Sequence, residues 1–242
     1  MAGSVLQSSA FKLGASIHSS INWACPPTAV LFDLDGTLAD TAGDLGGALN
    51  QLRVARGLDP LPLDMLRPYA SAGARGLIGV GLDIHPGDPE FEPLRTAFLD
   101  AYTRCLADTT ALFDGMGDLL YELSARGLKW GVVTNKPHRF TLPVMDGLGL
   151  REDAAVIISG DSTAHAKPHP LPLLTACEQM GVPPASVLYV GDDLRDIQAA
   201  QAAGMPSAAV EWGYIGHNGE ISTWGADVIV AHPMDLLAHL PA

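Results

Sequence analysis

Apolar and polar positions fall along this chain in short blocks, and the blocks set out most of its elements. Ala29 to Phe32 is an unbroken apolar run, ended at once by Asp33 and Asp35. A run of this kind reads as a fully buried strand. Downstream the blocks come in pairs. Helical spacing over Gly117 to Arg126 leads into the apolar run Lys129 to Thr134. Arg139 to Leu148 leads to Ala155 to Ser159, and Pro170 to Met180 leads to Val187 to Val190. Asp193 to Ala203 leads to Ser207 to Val210, and a last strand, Asp227 to Val230, precedes a short helix. Such alternation predicts an α/β fold, a Rossmann-like parallel sheet with helices on both faces.

One section breaks the alternation. Asp40 or Thr41 can cap a helix that carries Leu45, Leu49 and Leu52. Pro60, Pro62 and Pro68 break up the next stretch. Helical patterns return over Ser71 to Ile78 and over Phe91 to Ala107, the latter with Leu94, Phe98, Ala101, Tyr102 and Cys105 on one face. No convincing strand occurs between Gly43 and Phe113. The pattern therefore predicts a helical cap domain, residues 43–113, inserted after the first strand of a core made of 26–42 and 114–242. Hinges near Asp40 and Asp114 fit that layout. Residues 1–25 are serine-rich, acid-free and carry one lysine, Lys12. They lack the long apolar region of a secretory signal and the arginines of a transit peptide, and read as a disordered extension.

Composition narrows the function. Hydrophobic residues make up 48% of 242 and charged residues 17%, which is a globular balance with enough chain for a sizeable core. The formal charge of −13 argues against a nucleic-acid partner. No apolar run reaches membrane-spanning length. Cys25, Cys105 and Cys177 have no metal-ligand spacing and fit reduced thiols in a cytoplasmic protein. The expected assembly is a monomer or a homodimer.

The chemistry collects at the strand ends. Asp33 and Asp35 repel each other unless a cation joins them, and a hard divalent ion such as Mg²⁺ suits oxygen ligands. The second core strand ends in Thr134 and Asn135. Lys167 follows the third, and Asp192, Asp193 and Asp196 follow the fourth. Parallel neighbours would bring all four clusters to one edge of the sheet. On the residues alone, Thr134 also reads as a strand-end hydroxyl and Lys167 as a surface lysine. Asp193 and Asp196 also read as acids answering a helix dipole. In the cap, Gly73 and Arg75 suit an anionic substrate, though an exposed arginine at a helix start reads equally well. Arg139 reads as a surface arginine. His165 and His169 read as loop residues.

The stretch A-V-L-F-D-L-D-G-T-L resembles the first motif of the haloacid dehalogenase superfamily, D-x-D-G-T. The Thr134, Lys167 and Asp192 clusters follow in that superfamily's order, so the resemblance covers roughly Ala29 to Val210. The runs S-A-G-A-R, L-F-D-G-M, W-G-V-V-T-N-K-P-H-R-F, V-G-D-D-L-R-D-I, G-Y-I and W-G-A-D-V-I-V are similar to its phosphoglycolate phosphatase branch. The N-terminal extension departs from that pattern.

The resemblance implies a Mg²⁺-dependent phosphatase that acts on a small phosphorylated metabolite. It makes Asp33 the nucleophile, Asp35 the acid and base, and Asp33, the Asp35 carbonyl and Asp192 the metal site. Asp193 and Asp196 stand behind that site. Thr134 and the Asn135 backbone would donate to the phosphoryl group, and Lys167 would supply fixed positive charge. The dehalogenases lack an acid at the Asp35 position. The absence of lysine between Lys12 and Lys129 removes the cap lysine of phosphonate hydrolases and phosphomutases. Hydrolysis of a monophosphate is left, with N-acetylmuramic acid 6-phosphate, from peptidoglycan recycling, ahead of 2-phosphoglycolate. Both carry a carboxylate that Arg75 would suit. A non-catalytic phosphate-binding relative would lack Asp35 or Lys167, and both are present.

Overall fold

A computed structural model describes residues 21–216 and 219–240. In chain order the elements are β1 (Ala29–Phe32), β2 (Ala39–Asp40), α1 (Ala42–Ala55), α2 (Leu63–Leu66), α3 (Gly73–Leu82), α4 (Phe91–Arg104) and β3 (Ala111–Leu112). Next come α5 (Met116–Ala125), β4 (Lys129–Val133), α6 (His138–Gly147), β5 (Ile157–Ile158), α7 (Leu171–Met180), β6 (Val187–Gly191), α8 (Leu194–Ala203), β7 (Ser207–Val210) and β8 (Val228–Val230). The fold is the expected α/β architecture. Six strands pair in parallel in the order β5, β4, β1, β6, β7, β8.

β1 occupies the middle because its residues are apolar on both sides. Val30 and Phe32 pack with Met116, Leu119 and Leu123 of α5 and Val144 of α6. Ala29 and Leu31 pack on the other face with Leu173 and Cys177 of α7 and Ala199 of α8. Successive strand side chains point to opposite faces, so an unbroken apolar tetrapeptide is what two covered faces require. Each large side chain buried this way contributes roughly 1.5–3 kcal/mol.

Helices α1, α3 and α4 close on one another around Leu45, Leu49, Leu77, Phe98 and Tyr102, and that cluster reaches Phe140 and Tyr214 beside the sheet. The stretch read as strand-free contains one short strand after all. β3 pairs antiparallel with β2, Ala39 opposite Leu112 and Asp40 opposite Ala111. A two-residue strand carries no periodicity, so only its partner defines it. The proline-broken stretch also holds α2 and a 3₁₀ turn, Arg67–Ala72.

The extension expected over 1–25 needs correcting at its inner end. Ile21 is buried against the core, and Trp23 Nε1 donates to the His239 carbonyl at 3.1 Å. Two apolar side chains with a surface to cover are ordered by it. The rest of that expectation, residues 1–20, lies outside the described residues. The three thiols are unpaired. Among the described residues no helix is long and apolar enough to cross a membrane.

Candidate active site

Parallel pairing assembles the site. Phe32 lies beside Val132 on one side and Val190 on the other. Asp33, Thr134 and Asp192 therefore leave three adjacent strands at nearly one level, where the chain order of the sheet reverses and open α/β sheets hold ligands. A cavity of about 230 Å³ opens there. Asp33, Asp35, Thr134, Asn135, Lys167, Asp193, Asp196 and Gly73 all line it.

Lys167 is the electrostatic centre. Its ammonium lies 2.9 Å from Asp33 Oδ1 and 2.7 Å from Asp196 Oδ1, and it also donates to the Val133 carbonyl and the Tyr189 hydroxyl. Burial works against its charge, but Asp196 and Asp33 outweigh burial and raise its pKa. Asp33 Oδ1 also accepts from the Leu34 amide at 2.8 Å.

One carboxylate oxygen from each of Asp33, Asp192 and Asp196 lies within 4.8 Å of the others. Burial first, then the charges of Asp33 and Asp196, push Asp192 up to about 8. Burial likewise pushes Asp196 up to about 7. Three crowded acids, two of them fully buried, make a donor set that a hard divalent cation would satisfy. The expected grouping took the carbonyl of Asp35 rather than its carboxylate and set Asp196 behind the site. Asp35 brings no carboxylate to the trio, because its Oδ1 accepts from Thr41 Oγ1 at 2.6 Å and Lys136 Nζ at 2.8 Å. Asp196 joins instead, although Lys167 and the Asp193 amide already occupy its two oxygens. That second bond belongs to a capping box at the start of α8, which aims Asp196 inward.

Asp192 is held by Thr37 Oγ1 at 2.9 Å and the Tyr214 amide at 2.8 Å, and Ser71 Oγ approaches at 3.3 Å. Gly36 makes room for it. At φ +86° Gly36 turns the chain under the Asp192 carboxylate, where a Cβ would collide. Asp193 pairs with Arg195 through two bonds of 2.8 Å, and that guanidinium overcomes burial and lowers the Asp193 pKa. Arg195 also donates to the Ser71 carbonyl.

Thr134 Oγ1 accepts from the Lys136 amide at 3.1 Å, which leaves its proton to donate. The Asn135 side chain is committed elsewhere. It exchanges two bonds with the Lys167 backbone and so fixes the loop that carries the lysine. Arg75 is exposed and outside the cavity lining, on the solvent side of α3. The guanidinium that lines the cavity belongs to Arg195. Arg139 sits over the Phe140 ring, outside the lining.

Four contributors escaped the sequence reading: Thr41, Lys136, Arg195 and Tyr214. Lys136 is the most consequential, being buried and paired with Asp35. Its one sequence signal is its place directly after Thr134 and Asn135 at a strand end. Tyr214 Oη accepts from the Thr41 amide at 2.7 Å and contacts Asp40, which pairs with Arg67 of the 3₁₀ turn. The connection between sheet and helices is thus tied beside Asp35.

Residues 30–210 match the family model for haloacid dehalogenase-like hydrolases. A Pseudomonas aeruginosa N-acetylmuramic acid 6-phosphate phosphatase is 46% identical over 209 residues, covering 86% of this chain and 92% of its own. A Xylella fastidiosa phosphoglycolate phosphatase is 44% identical over 212 residues, covering 86% and 90%. The crystal structure of a predicted phosphoglycolate phosphatase from Haemophilus somnus superposes with a TM-score of 0.78 at 27% identity, covering 89% of this chain and 98% of that one. The chain belongs to the haloacid dehalogenase-like hydrolases, and within them it is a phosphatase.

Proposed function

We propose that the chain hydrolyses a small phosphate monoester with Mg²⁺ through an aspartyl-phosphate on Asp33, and that its substrate is N-acetylmuramic acid 6-phosphate, a product of peptidoglycan recycling. The observation that carries this reading is the pair of aspartates beyond β1, each held by its own buried lysine in one cavity. Lys167 holds Asp33 at 2.9 Å and Lys136 holds Asp35 at 2.8 Å. Two carboxylates with separate partners can take separate roles.

With Asp35 protonated at the start, an Asp33 oxygen attacks phosphorus and the bond to the leaving oxygen breaks as that oxygen takes the Asp35 proton. Asp35, now a carboxylate, then takes a proton from water as that water attacks phosphorus. Phosphate leaves and Asp33 is restored. Thr134 and the Asn135 backbone donate to the phosphoryl oxygens, and Lys167 fixes Asp33 and offsets the charge around it. Asp33, Asp192 and the Asp35 carbonyl would hold the ion, with Asp193 and Asp196 supporting them. When bound, Mg²⁺ offsets the charge on the phosphoryl oxygens. The helices of 43–113 act as a cap over the strand ends, and Gly73 forms part of its inner wall.

The 46% identical relative supports the amino-sugar substrate. 2-Phosphoglycolate is the second reading, favoured by the Xylella relative at 44%. Phosphate release from both compounds and from common sugar phosphates, with Mg²⁺ and with EDTA, tests the reading. N-Acetylmuramic acid 6-phosphate should be turned over fastest, and EDTA should abolish release. A faster rate on 2-phosphoglycolate would reverse the order of the two, and undiminished release in EDTA would remove the metal.

A second expectation concerns stability. The Asp192 and Asp196 pKa values rise from 3.8 to about 8 and about 7. In that window the folded chain binds more protons than the unfolded one, so metal-free stability falls as pH rises. Mg²⁺ relieves the charge that causes the fall. It should raise the melting temperature by more near pH 8 than near pH 5 (about the ends of that window). Equal shifts at both, in a thermal melt, would count against the aspartates at these strand ends as the cation site.

A further inference from the structure

The cavity wall contains one polar atom that the chemistry above leaves unused. Tyr102 of α4 is 1% exposed; its hydroxyl oxygen lies toward the Lys136 ammonium, and its proton has no acceptor among the described residues. Buried polar groups in folded proteins are nearly always paired. An unpaired one at a cavity wall is a place for a ligand atom. Burial pushes Tyr102 up to about 12 against the opposing pull of the Lys136 charge, so the group remains a hydroxyl and can donate.

Lys136 lies against the same ring, its Nζ 4.8 Å from the Tyr102 centroid. An ammonium has three donors; Asp35 takes one, and the Tyr102 oxygen is placed to take a second. Lys167 is fully engaged by Asp33, Asp196, the Val133 carbonyl and the Tyr189 hydroxyl. Arg195 is turned onto Asp193 and the Ser71 carbonyl through Nε and Nη2. Lys136 is the cation that lies against the Tyr102 ring, and it sits beside the acid that faces the leaving oxygen. Leu45, Phe98, Leu99 and Phe140 supply an apolar wall alongside. Tyr102 is also fixed in direction, with its ring 5.3 Å from Phe140. Arg75, the arginine expected to read a substrate anion, is outside the cavity lining.

We propose that the Tyr102 hydroxyl and the Lys136 ammonium together form the leaving-group subsite, and that it takes a carboxylate on the alcohol half of the substrate. A neutral and a charged donor side by side match the two oxygens of a carboxylate, and the apolar wall matches the carbon skeleton that bears it. The inference rests on the phosphatase reading above and adds the residues that select the substrate's carboxylate.

The test uses pairs in which one member carries a carboxylate and the other does not. One is 2-phosphoglycolate against 2-hydroxyethyl phosphate. The other is N-acetylmuramic acid 6-phosphate against N-acetylglucosamine 6-phosphate. Wild-type protein and Tyr102→Phe are assayed for kcat/KM on all four. Lys136 is left in place because it also holds Asp35. Wild type should favour the carboxylate member of at least one pair, and in Tyr102→Phe that preference should fall by about ten- to a hundredfold. A general loss of activity or of folding would lower both members and leave the ratio alone. An unchanged ratio, or a wild type that prefers neither member, overturns the subsite and leaves the phosphatase reading standing. Release of phosphate from none of the four overturns both.

Discussion

Replacing Asp33 with asparagine is expected to lower phosphate release by on the order of 10⁴-fold or more, with the fold intact. Asparagine keeps the shape and the oxygen that accepts from the Leu34 amide. It removes the carboxylate that attacks phosphorus, and an amide is too poor a nucleophile to replace it. Stability should hold or rise. Asp33 is one of the charges, after burial, that push Asp192 upward, so neutralising it relieves a crowded cluster. The measurement is a single-turnover assay beside a urea melt. Asp33→Asn with wild-type turnover would end the nucleophile assignment.

Lys167→Met should damage both activity and stability. The Lys167 side chain is 2% exposed and faces two carboxylates, a carbonyl and a hydroxyl. Removing one partner of a buried ion pair costs about 3–5 kcal/mol, because the other charge stays buried and unanswered. Activity should drop by about 10²- to 10³-fold, the scale for losing a preorganised electrostatic group. The pH dependence carries the sign. The Lys167 pKa lies above its ordinary 10.5, so its contribution in the wild type is fully present below that value and is lost only at more alkaline pH. In the variant Asp196, held at about 7 even with the lysine present, moves higher still. The deficit of the variant should then widen as pH rises from about 5 to about 8. Urea melts across that range measure it. A loss under about 1 kcal/mol, the level of a surface ion pair, would show that Lys167 does not hold the cluster.

Much of this molecule is written in local pattern. The apolar runs Ala29–Phe32, Lys129–Val133 and Val187–Gly191 announce a two-sided core, because each strand needs apolar residues on both faces wherever helices cover both. Their polar endings announce the site. Parallel strands of similar length finish together, so Asp33, Thr134 and Asp192 must meet once the strands are neighbours. The helices after β1 were legible from the apolar spacing at Leu45, Leu49 and Leu52 and at Leu94, Phe98, Ala101 and Tyr102.

Other features depend on which surfaces meet, and no short-range pattern carries them. Lys136 reads as one more loop lysine until the register of β4 against β1 sets it beside Asp35. Arg75 and Arg195 are indistinguishable as sequence. The direction each helix faces puts the first in solvent and brings the second to the Ser71 carbonyl at the cavity wall. Ile21 and Trp23 look like the end of a polar tail until a hydrophobic surface receives them. Tyr102 has the spacing of a core residue and is one, yet its unpaired hydroxyl follows from the packing of α4 over the strand ends. By itself the sequence determined the sheet, the helical insert and the acids at the strand ends, because burial and strand geometry act over a few residues at a time. Which lysine answers which strand-end aspartate was decided only by the tertiary structure, since Lys136–Asp35 and Lys167–Asp33 meet at about 3 Å across long stretches of chain.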